Sequence, residues 1–189
     1  DKDAEENFPD GNFNMSDISL EKLPNQSDDL YAYVADDTLW EVPRENLSLI
    51  KRLGSGNFGY VDKALAIGLC GFPGQVTVAV KTLKENAEDK DKEDFLTELF
   101  LMKKLEPHPR IVRFLGYCTT PDGPICIILE YLPYGDLLGY LRRSRGHEDT
   151  YCSGDRRPEA KLSSHELLKF AWMVADGMNF LAENKESIM

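Results

Sequence analysis

A chain of 189 residues, 42% hydrophobic and 29% charged, suits one ordinary domain with an appendage and is too short for two large ones. Its net charge of −11 is unevenly divided: residues 1–46 hold 13 acidic against 3 basic side chains, while the rest is near balance. The acidic excess lies in the leader and argues against nucleic-acid binding, which needs a basic patch; Cys70, Cys118, Cys126 and Cys152, without C-x-x-C spacing, read as free thiols of a reducing compartment.

Residues 1–38, rich in Asp, Asn, Ser and Pro and without periodicity, read as disordered or loosely attached, with Tyr31 and Tyr33 among the acids. Residues 47–53 predict a strand that runs into Gly54, Gly56 and Gly59, a G-x-G-x-x-G followed two residues later by Val61. That spacing also opens dinucleotide-binding βαβ units, but those need a helix directly after the third glycine. Here Tyr60-Val61 is β-prone, and beyond the turn-rich 71–74 the residues Val76, Val78 and Val80 alternate with Thr77, Ala79 and Lys81, which is a strand period. The order is strand, glycine turn, strand, loop, strand. Glycines in such a turn let backbone N–H groups approach phosphate oxygens. Lys81 shares a strand face with Ala79, so the small residue can border a flat base while the cation reaches the phosphates. A phosphate-directed lysine needs an anionic positioner, and Glu98 supplies one beside the helical stripe Phe95, Leu96, Leu99, Met102.

Acids at the start of that helix and Lys103-Lys104 at its end suit the helix dipole, and Pro107 and Pro109 around His108 stop it. Residues 111–118 and 125–130 predict strands joined by a turn at 119–124. A short helix follows at 136–143, then a polar stretch at 144–160. Ser163 and Glu166 form a capping box flanked by Leu162 and Leu167, and Leu167, Ala171, Val174, Met178 and Leu181 mark a stripe expected to be buried in a complete domain and exposed in this chain alone. Lys51, Arg52 and Lys63 read as solvated surface charges.

Taken in this order, the glycine loop 54–61, the Val78-Ala79-Val80-Lys81 run and Glu98 beyond it resemble the protein kinase family. Residues 125–141 are similar to the fifth strand, hinge and following helix of a tyrosine kinase. Trp40-Glu41-Val42-Pro43-Arg44 resembles the start of that domain in receptor-type members related to fibroblast and vascular endothelial growth factor receptors. The resemblance implies an α+β fold after an acidic juxtamembrane-like leader at 1–38: a small lobe of five antiparallel strands plus one helix, with the hinge, at 39–132. A partial large lobe follows at 133–189 with a polar insert at about 144–161.

The same resemblance assigns the roles. Lys81 and Glu98 are the catalytic pair. Leu53, Gly54, Gly56, Phe58, Gly59, Val61, Ala79, Lys81, Leu129, Glu130, Leu132 and Asp136 surround ATP. Phe58 folds over the phosphates, Leu129 is the gatekeeper and stacks with Met102 and Phe114. Glu130 and Leu132 offer backbone groups to adenine, and Asp136 accepts from the ribose. Tyr31, Tyr33 and Tyr151 stand where such receptors carry phosphorylated or docking tyrosines.

Neither His-Arg-Asp nor Asp-Phe-Gly occurs in the sequence, so the catalytic base and the metal ligands are expected beyond it and no metal-site residue is assigned. The expectation is therefore a receptor-type protein tyrosine kinase using ATP with Mg2+ or Mn2+, of which this chain carries the nucleotide half and is inactive alone. Protein tyrosine substrates, phosphotyrosine-binding adaptors and dimerisation belong to the parent, on the cytoplasmic side of a single-pass plasma-membrane receptor. The alternative is a catalytically inactive nucleotide-binding or regulatory module. A serine/threonine kinase is disfavoured by the Glu130-Tyr131-Leu132 hinge.

Overall fold

The computed structural model describes residues 39–56, 59–69, 72, 74–147, 154–156 and 162–184. Tyr31, Tyr33, Phe58, Cys70, Tyr151 and Cys152 fall outside them, as does the leader read as disordered. Five strands, β1 (Leu47–Ser55), β2 (Gly59–Ile67), β3 (Gln75–Leu83), β4 (Phe114–Cys118) and β5 (Cys126–Glu130), form one antiparallel sheet in the order β1-β2-β3-β5-β4. Alternation drives the central strands. Val78 and Val80 on β3 and Ile128 on β5 enter one apolar cluster with Ala64, Ala66, Leu115 and Val42. Their neighbours Leu83 and Ile127 enter a second cluster on the opposite face, under the helix α1 (Asp89–Lys104). Burial on both faces explains why β5 reads as a continuous apolar run where β2 alternates.

The helix follows from its pattern. Phe95, Leu96, Leu99 and Phe100 recur at helical spacing and are buried against the sheet, Leu99 completely. The Glu88 N–H donates to Asp91 Oδ2 at 3.1 Å and caps the first turn. Asp89 and Asp91 in the first turn and Lys103 and Lys104 in the last complement the dipole, as expected.

Strand β4 begins at Phe114, three residues later than the pattern suggested, because residues 108–111 close a turn through Ile111 N–H to His108 C=O at 3.1 Å. Its outer edge is covered: Val42 N–H donates to Tyr117 C=O at 2.8 Å, and Tyr117 N–H to Trp40 C=O at 2.9 Å. Gly116 makes this possible. At φ +155° a side-chain carbon there would stand 2.8 Å from the Trp40 carbonyl, so the covering segment could not approach any other residue.

Two further helices follow. Asp136 Oδ1 accepts from Gly139 N–H at 2.8 Å and caps α2 (Leu137–Ser144). The helix α3 (Ser164–Glu183) starts at the predicted capping box: Ser163 Oγ accepts from Glu166 N–H at 3.3 Å while the Glu166 carboxylate accepts from Ser163 N–H at 2.7 Å. These bonds to the Ser163 backbone and hydroxyl hold the Glu166 carboxyl below its usual range. The apolar stripe is open in this chain, as expected for it alone: Leu167, Val174 and Met178 are 38, 54 and 62% exposed. On its neighbouring face the helix meets the 108–111 turn, where Gly177 lies against Arg110 and the Phe180 ring stacks on His108 with centroids 4.4 Å apart.

Candidate functional site

Strand register alone gathers most of the predicted site. Val61 lies directly opposite Lys81, and Ala79 opposite both Lys63 and Leu129. Opposed residues in an antiparallel pair project to the same face. Val61, Ala79, Lys81 and Leu129 therefore share the face that α1 covers in part. Leu99, fully buried, fixes the rotation of α1, and its neighbour Glu98 projects back over β3 to form an ion pair with Lys81 Nζ. Their side chains are 26 and 35% exposed, so the pair lies at a border between core and solvent. The Phe95 ring lies 5.6 Å from the same Nζ. A pair this open adds little to stability; its effect is to hold a cation in one place.

The glycines divide into two kinds. A side-chain carbon on Gly59 would stand 2.3 Å from the Thr82 carbonyl oxygen, so the close pairing of β2 with β3 requires glycine there. Gly54 and Gly56 would meet nothing within 4 Å, and neither has a positive φ. The fold does not demand glycine at either position. A bare backbone opening on free space is what a large anion needs in order to approach main-chain N–H groups, so the residues present fit a phosphate-bearing ligand. The turn is closed by Gly56 N–H to Gly59 C=O at 2.9 Å and tied down by Lys84 Nζ to Gly56 C=O at 2.8 Å.

Along the same face, Leu129 and its cross-strand partner Phe114, like Met102, pack against the α1 cluster. Glu130 is engaged on both sides: its N–H donates to Arg113 C=O at 3.0 Å and its carboxylate accepts from Arg113 N–H at 2.8 Å. Leu132 is 48% exposed, and its carbonyl accepts from Gly135 N–H at 3.1 Å. Leu53 is half-buried on β1. Asp136 is the cap of α2.

With this geometry in view, residues 47–187 match the family of protein tyrosine and serine/threonine kinases. The chain belongs to that family. It is 42% identical over 151 residues to the tyrosine kinase receptor Cad96Ca of Drosophila melanogaster, a match that covers 80% of this chain and 19% of that protein. Fibroblast growth factor receptor 1 of Xenopus laevis is 44% identical over 153 residues, 79% of this chain and 19% of the receptor. Platelet-derived growth factor receptor beta of the dog is 46% identical over 132 residues, 69% and 12% respectively. The chain thus spans a fifth or less of the length of these relatives. The sheet with α1 is the small lobe of a kinase, followed by the hinge and early helices of the large lobe.

The kinase small lobe also holds charges in places that periodicity did not reveal. Arg52, at 51% exposure the surface charge that was expected, also pairs through Nε with Asp62 Oδ1 at 2.9 Å, and Asp62 is 6% exposed. Its guanidinium lies 3.8 Å from the centroid of the Tyr60 ring. Lys51, 46% exposed, is on the surface as expected and Lys63, at 20%, less so; both ammonium groups reach the carboxylate of Asp155, from the insert that was read as solvated. The reason is topological. Arg52 and Asp62 are cross-strand partners, as are Lys51 and Lys63, and only the register of the β1–β2 hairpin brings them together. The signal available in the sequence was a hairpin centred on residues 56–59. Lys84 escaped notice because it lies just past the end of β3. Among the described residues no helix is long and apolar enough to cross a membrane, and no group of three or more His, Cys, Asp or Glu is placed to hold a metal ion.

Proposed function

We propose that these residues form the ATP-binding half of a receptor-type protein tyrosine kinase. The observation that carries this reading is the Lys81–Glu98 ion pair set on one sheet face with a glycine turn whose Gly54 and Gly56 the fold itself does not require. In it, backbone N–H groups of the turn and the Lys81 ammonium bind the phosphates, with Phe58, outside the described residues, closing over them. Leu53, Val61 and Ala79 sandwich the base, Leu129 limits the space behind it, and the backbone of Glu130 and Leu132 meets its edge. Asp136 Oδ1 already caps α2, so its second oxygen is the one directed to the ribose. Phosphoryl transfer depends on positioning and on neutralising developing charge. Lys81 supplies part of that charge, while the base and the Mg2+ or Mn2+ ligands come from the catalytic motifs of the complete domain. Protein tyrosines are the substrates of the parent, which dimerises on the cytoplasmic side of a membrane and recruits phosphotyrosine-binding adaptors. By this reading the domain boundaries fall near residues 38 and 132.

The test is radiolabelled phosphate incorporation into a poly-Glu-Tyr substrate with Mg2+ or Mn2+. Residues 1–189 alone are expected to transfer none, and the same residues extended through His-Arg-Asp and Asp-Phe-Gly to transfer readily. An extended chain that binds ATP but transfers nothing would favour the inactive nucleotide-binding module instead.

A further inference from the structure

A single carboxylate joins the roof strands to the hinge. Asp155 receives the ammonium groups of Lys51 on β1 and Lys63 on β2, and the Tyr131 hydroxyl donates to its Oδ2 at 2.6 Å. The Lys63 ammonium also lies 4.5 Å from the centroid of the Tyr131 ring. The backbone on either side is seated as well. Arg156 N–H donates to Pro133 C=O at 2.9 Å, and a side-chain carbon on Gly154 would fall 2.4 Å from the Tyr134 carbonyl carbon, so only glycine allows the two chains to lie so close. Three donors from three elements, together with a fitted backbone, make this contact more than a chance surface pair.

Its location gives it a consequence. Lys63 stands opposite Ala79, and Ala79 opposite Leu129, so the contact lies on the cross-strand row that borders the base in the proposed site. The Lys81 row is two residues away, about 7 Å along the strand. Lys51 and Lys63 are themselves cross-strand partners, and like charges directly opposed destabilise a pair of strands. The Asp155 carboxylate neutralises that repulsion at the point where roof faces hinge. We propose that Asp155 is a positioning residue for the nucleotide: it braces β1 and β2 against the hinge and so sets the height of the slot that receives the base. The proposal rests on the nucleotide reading of the cleft. The charge state is consistent with it, since Lys51 first, then Lys63 and Tyr131, hold the Asp155 carboxyl well below the usual carboxylate range.

The test uses the parent's whole kinase domain. Asp155→Asn keeps the size of the side chain and removes its charge. It is expected to raise KM for ATP about fivefold, with kcat changed by less than about twofold and KM for the peptide unmoved. A role in stability alone would lower the active fraction, and with it kcat, and leave KM in place. Lys63→Met, which removes one of the three donors, should give a smaller rise, and the double variant no more than Asp155→Asn alone, because the contact of Lys63 with the carboxylate is already lost there. Asp155→Glu should restore most of the affinity. Hydrogen exchange in the nucleotide-free protein should speed up in Asp155→Asn at residues 47–53 and 131–135. Unchanged exchange would overturn the brace, and faster exchange with an unchanged KM would overturn its positioning role. A lowered KM would overturn it too, by showing that the segment obstructs the nucleotide. A wild-type domain that binds no ATP analogue would refute the nucleotide reading and the positioning role, while the exchange measurement would still judge the brace.

Discussion

Replacing the three loop glycines one at a time by alanine separates what the fold needs from what the ligand needs. At Gly59 the added methyl would stand 2.3 Å from the Thr82 oxygen, against a normal carbon–oxygen approach of about 3.3 Å. Strands β2 and β3 must therefore part by about 1 Å at the glycine-turn end of their ladder, an overpacking that costs about 1–3 kcal/mol. For a domain of this size that lowers the melting temperature by roughly 2–4 °C per kcal/mol. At Gly54 and Gly56 nothing lies within 4 Å and φ is not positive, so alanine is accommodated. Its smaller unfolded-state entropy should raise stability by about 0.4–1 kcal/mol. Nucleotide affinity should order differently: in the proposed site both substitutions place a methyl where the phosphates would approach the backbone, with an expected loss of about tenfold or 1.4 kcal/mol. Urea denaturation followed by tryptophan fluorescence gives the stabilities, read at constant m-value, and a fluorescent ATP analogue gives the affinities in the whole domain. Gly54→Ala or Gly56→Ala destabilising by more than about 1 kcal/mol, or Gly59→Ala proving neutral, would refute the division of roles.

Four further outcomes are expected. Leu99→Ala, at a fully buried position on α1, should cost about 2–5 kcal/mol in denaturant titration, whereas Leu49→Thr, 63% exposed on β1, should stay within about 0.5 kcal/mol. Ser163→Ala should cost about 1 kcal/mol of α3 stability, seen as faster amide exchange in its first turn. Lys81→Met in the whole domain should lower phosphotransfer at least about a hundredfold, and an unchanged rate would remove Lys81 from the site. The carboxyl of Asp155 has a folded pKa below its unfolded value of about 3.9. Its contribution to stability should thus be complete above that value and vanish as pH falls through the folded one. The difference in denaturation midpoint between wild type and Asp155→Asn should accordingly be constant near neutrality and close below about pH 4.

Where a short-range pattern decides the outcome, the sequence announces it. The alternation of 76–81 gives β3, the apolar stripe around Glu98 gives α1, and Ser163 with Glu166 gives the start of α3. Lys81 and Glu98 could be paired because each lies on an element whose inward face the period identifies. For α3, periodicity shows that the helix has an apolar side but not which neighbour its other face meets, and here Gly177 and Phe180 face the 108–111 turn. The ionic contacts were illegible. Arg52–Asp62 depends on hairpin register, and a register contains shifts, here between Leu49 and Lys51 and between Arg52 and Gly54, that composition does not encode. Asp155 meets Lys51 across 104 residues of chain, and no local rule relates an acid in a polar insert to two lysines on a hairpin.

The two ionic links act on neighbouring rows of one surface. The Lys81–Glu98 pair ties β3 to α1, so the position of the lysine follows the rotation of a helix whose core side is fully packed. The Asp155 link ties β1 and β2 to Tyr131, so the Lys63–Ala79 row, two residues along, follows the hinge. Both rows belong to the β2–β3 ladder, which runs from Gly59 opposite Leu83 to Ile67 opposite Gln75 without a bulge. An unbroken ladder transmits a tilt better than it absorbs one, because slipping it by one residue would turn Val78 and Val80 out of the core. A change in height at the Lys63–Ala79 row should therefore appear as a change in angle at the Lys81 row. Base and phosphates are then not sensed independently: loosening the brace should weaken ATP, in which both groups are joined, more than it weakens adenosine. If adenosine and ATP lost affinity equally in Asp155→Asn, the ladder would not be acting as a rigid link between the two rows.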